Sequence, residues 1–435
     1  MMNKLVLFIS TAAIFWSCKP KIKEQTISKG ELDVSSFVIL GGAQASGYMD
    51  DALYFEGQEN SLANLIALQL TKAGLPNFHQ PWVNEGSVGI GLTGLAKLYL
   101  NYKTDCKGVT SLSPLRTSPI GDGSIFSSSI FSSSQRFGNY GVPGLKLLDV
   151  AQQNYSAQNP YFSRMASSSS ASVLEDVLST NASFFSVYLG VEDVLDYAKS
   201  GGTIQNLPSQ TAFQNAYQQV LEGMTANGAK GVVATIPDLT KMPYFTTIPW
   251  NGLTLDEANN TTLNSIYNPL GYYFNVGSNP FMIVDSTANM FAVRQILSDE
   301  LFLLSLPLDS VKCNQMGVLF PIRDEFVLDQ GEINELRGKI NQYNEVIRNL
   351  ASQFNLAIVE TGSFVQKLSD GFTYNGIAIS AKFVSGGAYS LDGIHFNPRG
   401  NALFTNEFIH VINQKFNATI PKLNAGQYRA ILFPN

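Results

Sequence analysis

Residues 37–50 read FVILGGAQASGYMD. Phe37, Val38, Ile39 and Leu40 form an unbroken apolar run, the pattern of a strand covered on both faces. Gly41 and Gly42 permit a tight turn, and the residues after them open a helix. Strand, glycine turn and helix in that order begin a βαβ unit, whose strands pair in parallel. The tip of the turn is Ala43, which carries no nucleophilic group.

The rest of the chain repeats this alternation. Residues 61–72 place Leu62, Leu65, Ile66 and Leu70 at helical spacing, with Ser61 positioned to cap the start and Gly74 the end. Buried-type strands follow at 184–189 (FFSVYL), 231–236 (GVVATI) and 357–359 (AIV). The clearest helix covers 329–352. Ile333, Leu336, Ile340, Tyr343, Ile347 and Leu350 make one stripe, and Asp329 with Glu332 has capping-box spacing. Residues 402–416 read as a closing helix. The expected fold is therefore α/β, with a mostly parallel sheet and right-handed crossovers. Function in such sheets collects at the carboxyl ends of the strands. Segments 41–47 and 190–193 lie there, as does the loop carrying Asp392 and His395. No linker divides the chain after Val34, so one domain is expected over 35–416, followed by a C-terminal extension at 417–435. The Ser-rich stretch 107–135, with SIFSSS followed by IFSSS, reads as an inserted surface loop or a lid.

Composition narrows the function. The chain has 435 residues, 45% hydrophobic and 14% charged, against about 25% charged in ordinary globular proteins. Net charge is -6, and no long basic run appears, which argues against nucleic-acid binding. His79, His395 and His410 have no metal-ligand spacing, and Cys106 and Cys313 allow at most one disulfide. No metal or other cofactor is expected, and two free thiols or one incidental bridge are both compatible with the spacing. Lys4 precedes an apolar run at 5–16 that is short for a bilayer span but suits the apolar region of a secretory signal. Ser17-Cys18 after that run resembles the lipobox of bacterial lipoproteins. The resemblance implies a signal peptide over 1–18, lipidation of Cys18, a polar tether over 19–34, and anchoring in the bacterial cell envelope, at the outer membrane. Plain signal cleavage that discards Cys18 is the alternative.

Near the C-terminus, residues 390–400 read SLDGIHFNPRG. A carboxylate three residues before a histidine can hold one imidazole nitrogen and leave the other as a base. Four blocks occur in order: GGAQASGY after the first strand, NYGVPG at 139–144, GVED at 190–193, and SLDGIHFNPRG. Together with GVVATIPDLTKMPYF at 231–245, they resemble the SGNH (GDSL-type) hydrolases, in particular the large SGNH lipoproteins of Bacteroidetes. The resemblance covers the chain beyond the tether. It implies a flavodoxin-like, three-layer α/β/α fold and acyl transfer by a serine, with His395 as base and Asp392 orienting it. It also implies an oxyanion hole from backbone N–H groups, Gly144 among them, and an asparagine side chain.

Two positions depart from that pattern. Ala43 stands at the nucleophile position and Glu192 at the asparagine position, while Asp193 conforms. Alanine cannot form an acyl-enzyme. An ionised glutamate accepts hydrogen bonds and donates none. The leading reading is a catalytically impaired member that binds a glycan or acylated glycan, with Glu192 reaching into the space of the missing serine toward His395. The alternative is an active esterase using Ser46, Ser390 or a water activated by Glu192. Trp82, Trp250, His79 and His410 read as structural residues.

Overall fold

Five parallel strands form the central sheet of the computed structural model, which describes residues 26–288 and 290–434. They are β1 (Phe37–Gly41), β2 (Asn139–Gly141), β3 (Phe184–Tyr188), β4 (Lys230–Ala234) and β5 (Ala357–Val359). Their order across the sheet is β5-β4-β3-β1-β2, the flavodoxin-like arrangement. All pairings are parallel. The order reverses at β1, whose Gly41 pairs with Tyr188 on one side and Gly141 on the other. Strands β1 and β3 are buried throughout, as their apolar runs require. Sequence patterning alone does not show β2, because it has three residues and starts with a polar one. Asn139 is satisfied inside the core: its Nδ2 donates to Gln80 Oε1 at 2.8 Å and its Oδ1 accepts from Gly141 N–H at 2.7 Å.

Six helices matter to the site: α1 (Leu62–Lys72), α2 (Val191–Lys199), α3 (Gln210–Thr225), α4 (Gln330–Gln353), α5 (Thr361–Asp370) and α6 (Pro398–Phe416). Helix α6 packs on α1 and on β5, while α4 packs on α3 and α2. Phe213 of α3 stacks on Tyr343 of α4 with ring centroids 4.1 Å apart. The expected capping box closes α4: Asp329 Oδ1 accepts from Glu332 N–H, and Glu332 Oε2 accepts from Asp329 N–H, each at 2.8 Å. Helix α6 starts at Pro398, four residues before the apolar periodicity begins, because Asn397 caps it by accepting from Gly400 N–H at 3.0 Å.

Three expectations about organisation change. The proposed tether over 19–34 is docked in its described part. Leu32 and Val34 are each 2% exposed in the main core, and Glu31 N–H donates to Phe416 O at 2.9 Å. The apolar residues in this polar-looking stretch join the main core. Second, the Ser-rich stretch 107–135 is partly a strand. Thr110–Arg116 pairs antiparallel with Leu98–Thr104, and none of 107–135 lines the cleft described below. Third, the 417–435 extension packs against the domain, burying Ile420, Leu423 and Ala425.

Residues 248–327, between β4 and α4, build two satellite clusters, around Phe281–Phe302 and around Leu263–Tyr267. Cys106 and Cys313 form a disulfide that ties the 98–116 hairpin to this region. Cys18 and the signal segment 1–18 lie outside the described residues.

Docking of residues 26–34 has a measurable consequence. Leu32→Ala should lower unfolding free energy by about 2–5 kcal/mol, as for other buried leucines. Urea denaturation of a two-state transition reads it; a free tether would leave the midpoint unmoved.

Candidate functional site

The carboxyl ends of all five strands converge on one cleft. Beyond β1 come Gly42, Ala43 and Gln44; beyond β2, Leu145; beyond β3, residues 189–192; beyond β4, Pro237 and Met242; beyond β5, Thr361 and Val365. The loop before α6 adds Ile394, His395 and Phe396, and Phe404 of α6 closes the wall with Tyr188. The cleft offers about 30 Å³ to water centres, room for roughly two waters at 10–15 Å³ each. Most of its lining is apolar or aromatic.

The carboxylate of Asp392 is fixed by four hydrogen bonds. Its Oδ1 accepts from Ile394 and His395 N–H, both at 2.8 Å. Its Oδ2 accepts from Asp51 N–H at 3.1 Å and lies 3.0 Å from His395 Nδ1. With Nδ1 donating to Asp392, Nε2 is the nitrogen left for the cleft. The Tyr48 ring meets the imidazole edge-on, 5.2 Å between centroids, and so limits its rotation. Burial pushes the Asp392 carboxyl up, but the His395 charge and these hydrogen bonds outweigh it and hold it at about 2. Burial pulls the His395 imidazole down, but Asp392 and then Glu192 outweigh that too and leave its pKa above 6.5. The two carboxylates thus shift the imidazole toward its protonated form.

Glu192 is the second residue of α2 and is 7% exposed. Its Oε1 accepts from the backbone N–H of Ala43 at 3.0 Å. No ion pair within 4.0 Å joins it to His395 among the described residues; its hydrogen bond goes to Ala43, and its charge acts on the imidazole across the cleft. Burial raises the Glu192 pKa, and the His395 charge and the Ala43 bond offset part of that rise. Gly42 makes room for this carboxylate. A Cβ there would sit 2.8 Å from both Cγ and Oε1 of Glu192, closer than nonbonded atoms tolerate. Its φ of -89° and ψ of -146° also lie outside the regular strand and helix regions, so both space and backbone favour glycine. Sequence reading missed this role, along with those of Tyr48 and Asp51; the adjacent glycines at 41–42 were the available signal.

The other named residues lie in the turns and helix starts around the cleft. Asp193 Oδ2 accepts from Leu147 N–H at 2.8 Å and supports the loop after β2, while burial pushes its carboxyl up to about 7. Gly144 sits at φ 77° in that loop, one residue from the cleft-lining Leu145. Ser46 Oγ donates to Ala43 O at 2.7 Å, inside the turn. Ser390 Oγ accepts from Asp50 N–H at 3.0 Å. Neither serine lines the cleft. No cluster of metal-ligating side chains occurs among the described residues, and no helix there is long and apolar enough to cross a membrane.

The family model of GDSL-like lipase/acylhydrolases matches residues 94–408. The chain belongs to this GDSL family. Its matched part contains the sheet beyond β1, Glu192 and the Asp392–His395 pair, and starts after the turn that carries Ala43. Among solved structures, the chain is similar to an alpha/beta hydrolase, LAE5, from the metagenome of Lake Arreo, Spain, at 8% identity and TM-score 0.37, covering 89% of this chain and 97% of that one. It is similar to the lipase/acylhydrolase of Enterococcus faecalis at 10% identity and TM-score 0.33, covering 89% and 98%. A mutant acetyl-xylooligosaccharide esterase from Geobacillus Stearmophilus follows at 11% identity and TM-score 0.29, covering 63% and 71%. The family assignment rests on the family model and the sheet, not on these distant likenesses. No curated protein matches the chain.

The charge balance of this GDSL cleft makes two signed predictions. Asp392, held at about 2 against an ordinary 3.8, contributes stability that is full above pH 3.8 and is lost as pH falls toward about 2. His395, raised above 6.5, contributes stability that is full below pH 6.5 and is lost as pH rises through its folded pKa. Asp392→Asn should remove the first dependence and shrink the second in denaturation curves taken across pH, since Glu192 still acts on His395. In NMR titrations of the imidazole, Glu192→Gln should lower the His395 pKa, and Asp392→Asn should lower it further. An unchanged His395 pKa in Glu192→Gln would mean that no Glu192 charge reaches the imidazole.

Proposed function

We propose that this protein is a GDSL-family member whose ester hydrolysis is impaired and whose cleft binds an acyl-bearing ligand. The observation that carries the reading is the bond from Ala43 N–H to Glu192 Oε1. In the family, resemblance assigns the N–H at the Ala43 position to the oxyanion. Here that donor is already bonded to the Glu192 carboxyl oxygen. A new oxyanion about 4 Å from an ionised Glu192 would meet ~4 kcal/mol of repulsion at an effective dielectric constant of ~20. Loss of the asparagine donor adds about 3 kcal/mol. Together these amount to roughly a 10⁵-fold loss in rate, before the missing nucleophile is counted.

The apolar lining supports a small acyl group as the part that enters, and an acylated glycan is the ligand class that fits both this cleft and an envelope setting. A bare glycan is less well served, because the lining has few polar groups. The disulfide supports export, since such bonds persist in oxidising compartments. Anchoring through Cys18 in the outer membrane belongs to the same proposal. An active esterase using Ser46 or Ser390 is disfavoured by the bonds those serines already make.

Hydrolysis of p-nitrophenyl acetate and butyrate tests the reading on protein spanning residues 19–435. Native protein and His395→Ala should both run at background, and Ala43→Ser with Glu192→Asn should exceed them at least 10²-fold. Native activity that vanishes in His395→Ala would overturn the proposal.

A further inference from the structure

A larger pocket lies apart from the cleft and shares no lining residue with it. It offers about 330 Å³ to water centres, within the range of small-ligand sites. Its floor is the Asp50–Leu391 contact, where Leu391 N–H donates to Asp50 Oδ1 at 2.8 Å. Lys97 and Tyr99 form one wall, and the C-terminal segment with Arg429 and Phe433 forms another.

The pocket holds two carboxyls, Asp50 and Glu56, and two cations, Lys97 and Arg429, and of these four Arg429 is the one whose side chain is without a partner among the described residues. Asp50 is half-buried, and both of its carboxyl oxygens are used: Tyr54 O–H donates to Oδ2 at 2.6 Å, and Leu391 N–H donates to Oδ1. Glu56 offsets part of the Lys97 charge at 3.5 Å, and the ammonium also lies 4.3 Å above the Tyr54 ring. Arg429 has no comparable partner. Its guanidinium makes no hydrogen bond or ion pair among the described residues and acts on Asp50 through its charge alone. Two large aromatic side chains, Tyr99 at 39% and Phe433 at 54% exposure, stand in the same pocket.

Such a lining selects a ligand rich in acceptors. A planar five-donor guanidinium matches a carboxylate bidentately, and an ammonium nearby adds a second positive pole. Exposed rings beside them offer flat surface to the apolar face of a saturated ring. We propose that this pocket is a binding site for a carboxylate-bearing sugar, a uronic acid, with Arg429 holding the carboxylate, Lys97 a ring or carboxylate oxygen, and Tyr99 and Phe433 the ring face. The site is independent of the acyl-binding reading of the cleft, and it is where a glycan finds polar recognition on this chain.

Titration of the full chain with methyl β-glucuronide, followed by calorimetry and by amide NMR shifts, tests the assignment. Methyl β-glucoside and sodium acetate serve as the neutral and the carboxylate-only probes. Saturable binding of the glucuronide is expected, with shifts at residues 97–100 and 429–433. Arg429→Ala should weaken it at least 10-fold and Lys97→Gln several-fold, while His395→Ala leaves it unchanged. Both substituted side chains reach solvent, and matching urea midpoints would show that the variants fold.

The proposal is overturned by no saturable glucuronide binding at tens of millimolar, by acetate binding as tightly as the glucuronide, or by no loss in Arg429→Ala. The second would reduce the pocket to a generic anion spot. Loss of binding in His395→Ala would place the sugar in the cleft instead and would likewise overturn it. Failure of these tests leaves the ester assays untouched, so the two proposals fall separately.

Discussion

The parallel register that sets Gly41 against Tyr188 and Gly141 governs what this cleft can do. Parallel pairing brings the turns after β1 and β3 out of the sheet side by side, at the point where strand order reverses. Ala43 and Glu192, 149 positions apart in the chain, thereby come within a hydrogen bond of each other. The packing around that contact leaves little slack. Gly42 has no room for a side chain because of Glu192, and Gly141 has none because a Cβ there would lie 2.2 Å from Ser46 N. Two backbones and one carboxylate are pressed together at the mouth of the sheet.

Charge inside the cleft follows from the same geometry. Three ionisable groups, Asp392, His395 and Glu192, are buried together with one positive and two negative formal charges available. Asp392 keeps its charge because four hydrogen bonds and the imidazole compensate its burial. Glu192 has one backbone donor and a more distant imidazole, so burial weighs more heavily on it. The imidazole between them is drawn toward its protonated form.

The satellite region and the second pocket show how additions around a GDSL sheet acquire their own chemistry. Residues 248–327 carry separate apolar clusters, held to the 98–116 hairpin by a disulfide and by surface ion pairs such as Lys103–Asp309 at 2.6 Å. Exposed pairs of this kind contribute under about 1 kcal/mol each, so the covalent link carries most of the attachment there. The pocket between Lys97 and Arg429 depends on the C-terminal segment lying against that hairpin. Two mainly apolar stretches, 97–100 and 429–434, each carrying one cation, meet there.

Much of the fold was legible in the order of residues, because local rules are enough to show it. The apolar runs of β1 and β3, the stripe of α4 with its capping box, and the alternation of strand and helix depend on near neighbours. The Asp392–His395 pair was legible for the same reason, being three residues apart. Strand β2 was not: three residues carry too little pattern, and its Asn139 is tolerated only because Gln80 and Gly141 satisfy it. Nor did residues 26–34 betray their docking, since two apolar residues among polar ones look like a tether until the core receives them. That Ala43 lacks a nucleophile and Glu192 lacks an amide was evident from the sequence alone. That the glutamate accepts from the Ala43 N–H was decided by the tertiary structure, because hydrogen bonding acts over about 3 Å and only the folded sheet says which atoms come that close.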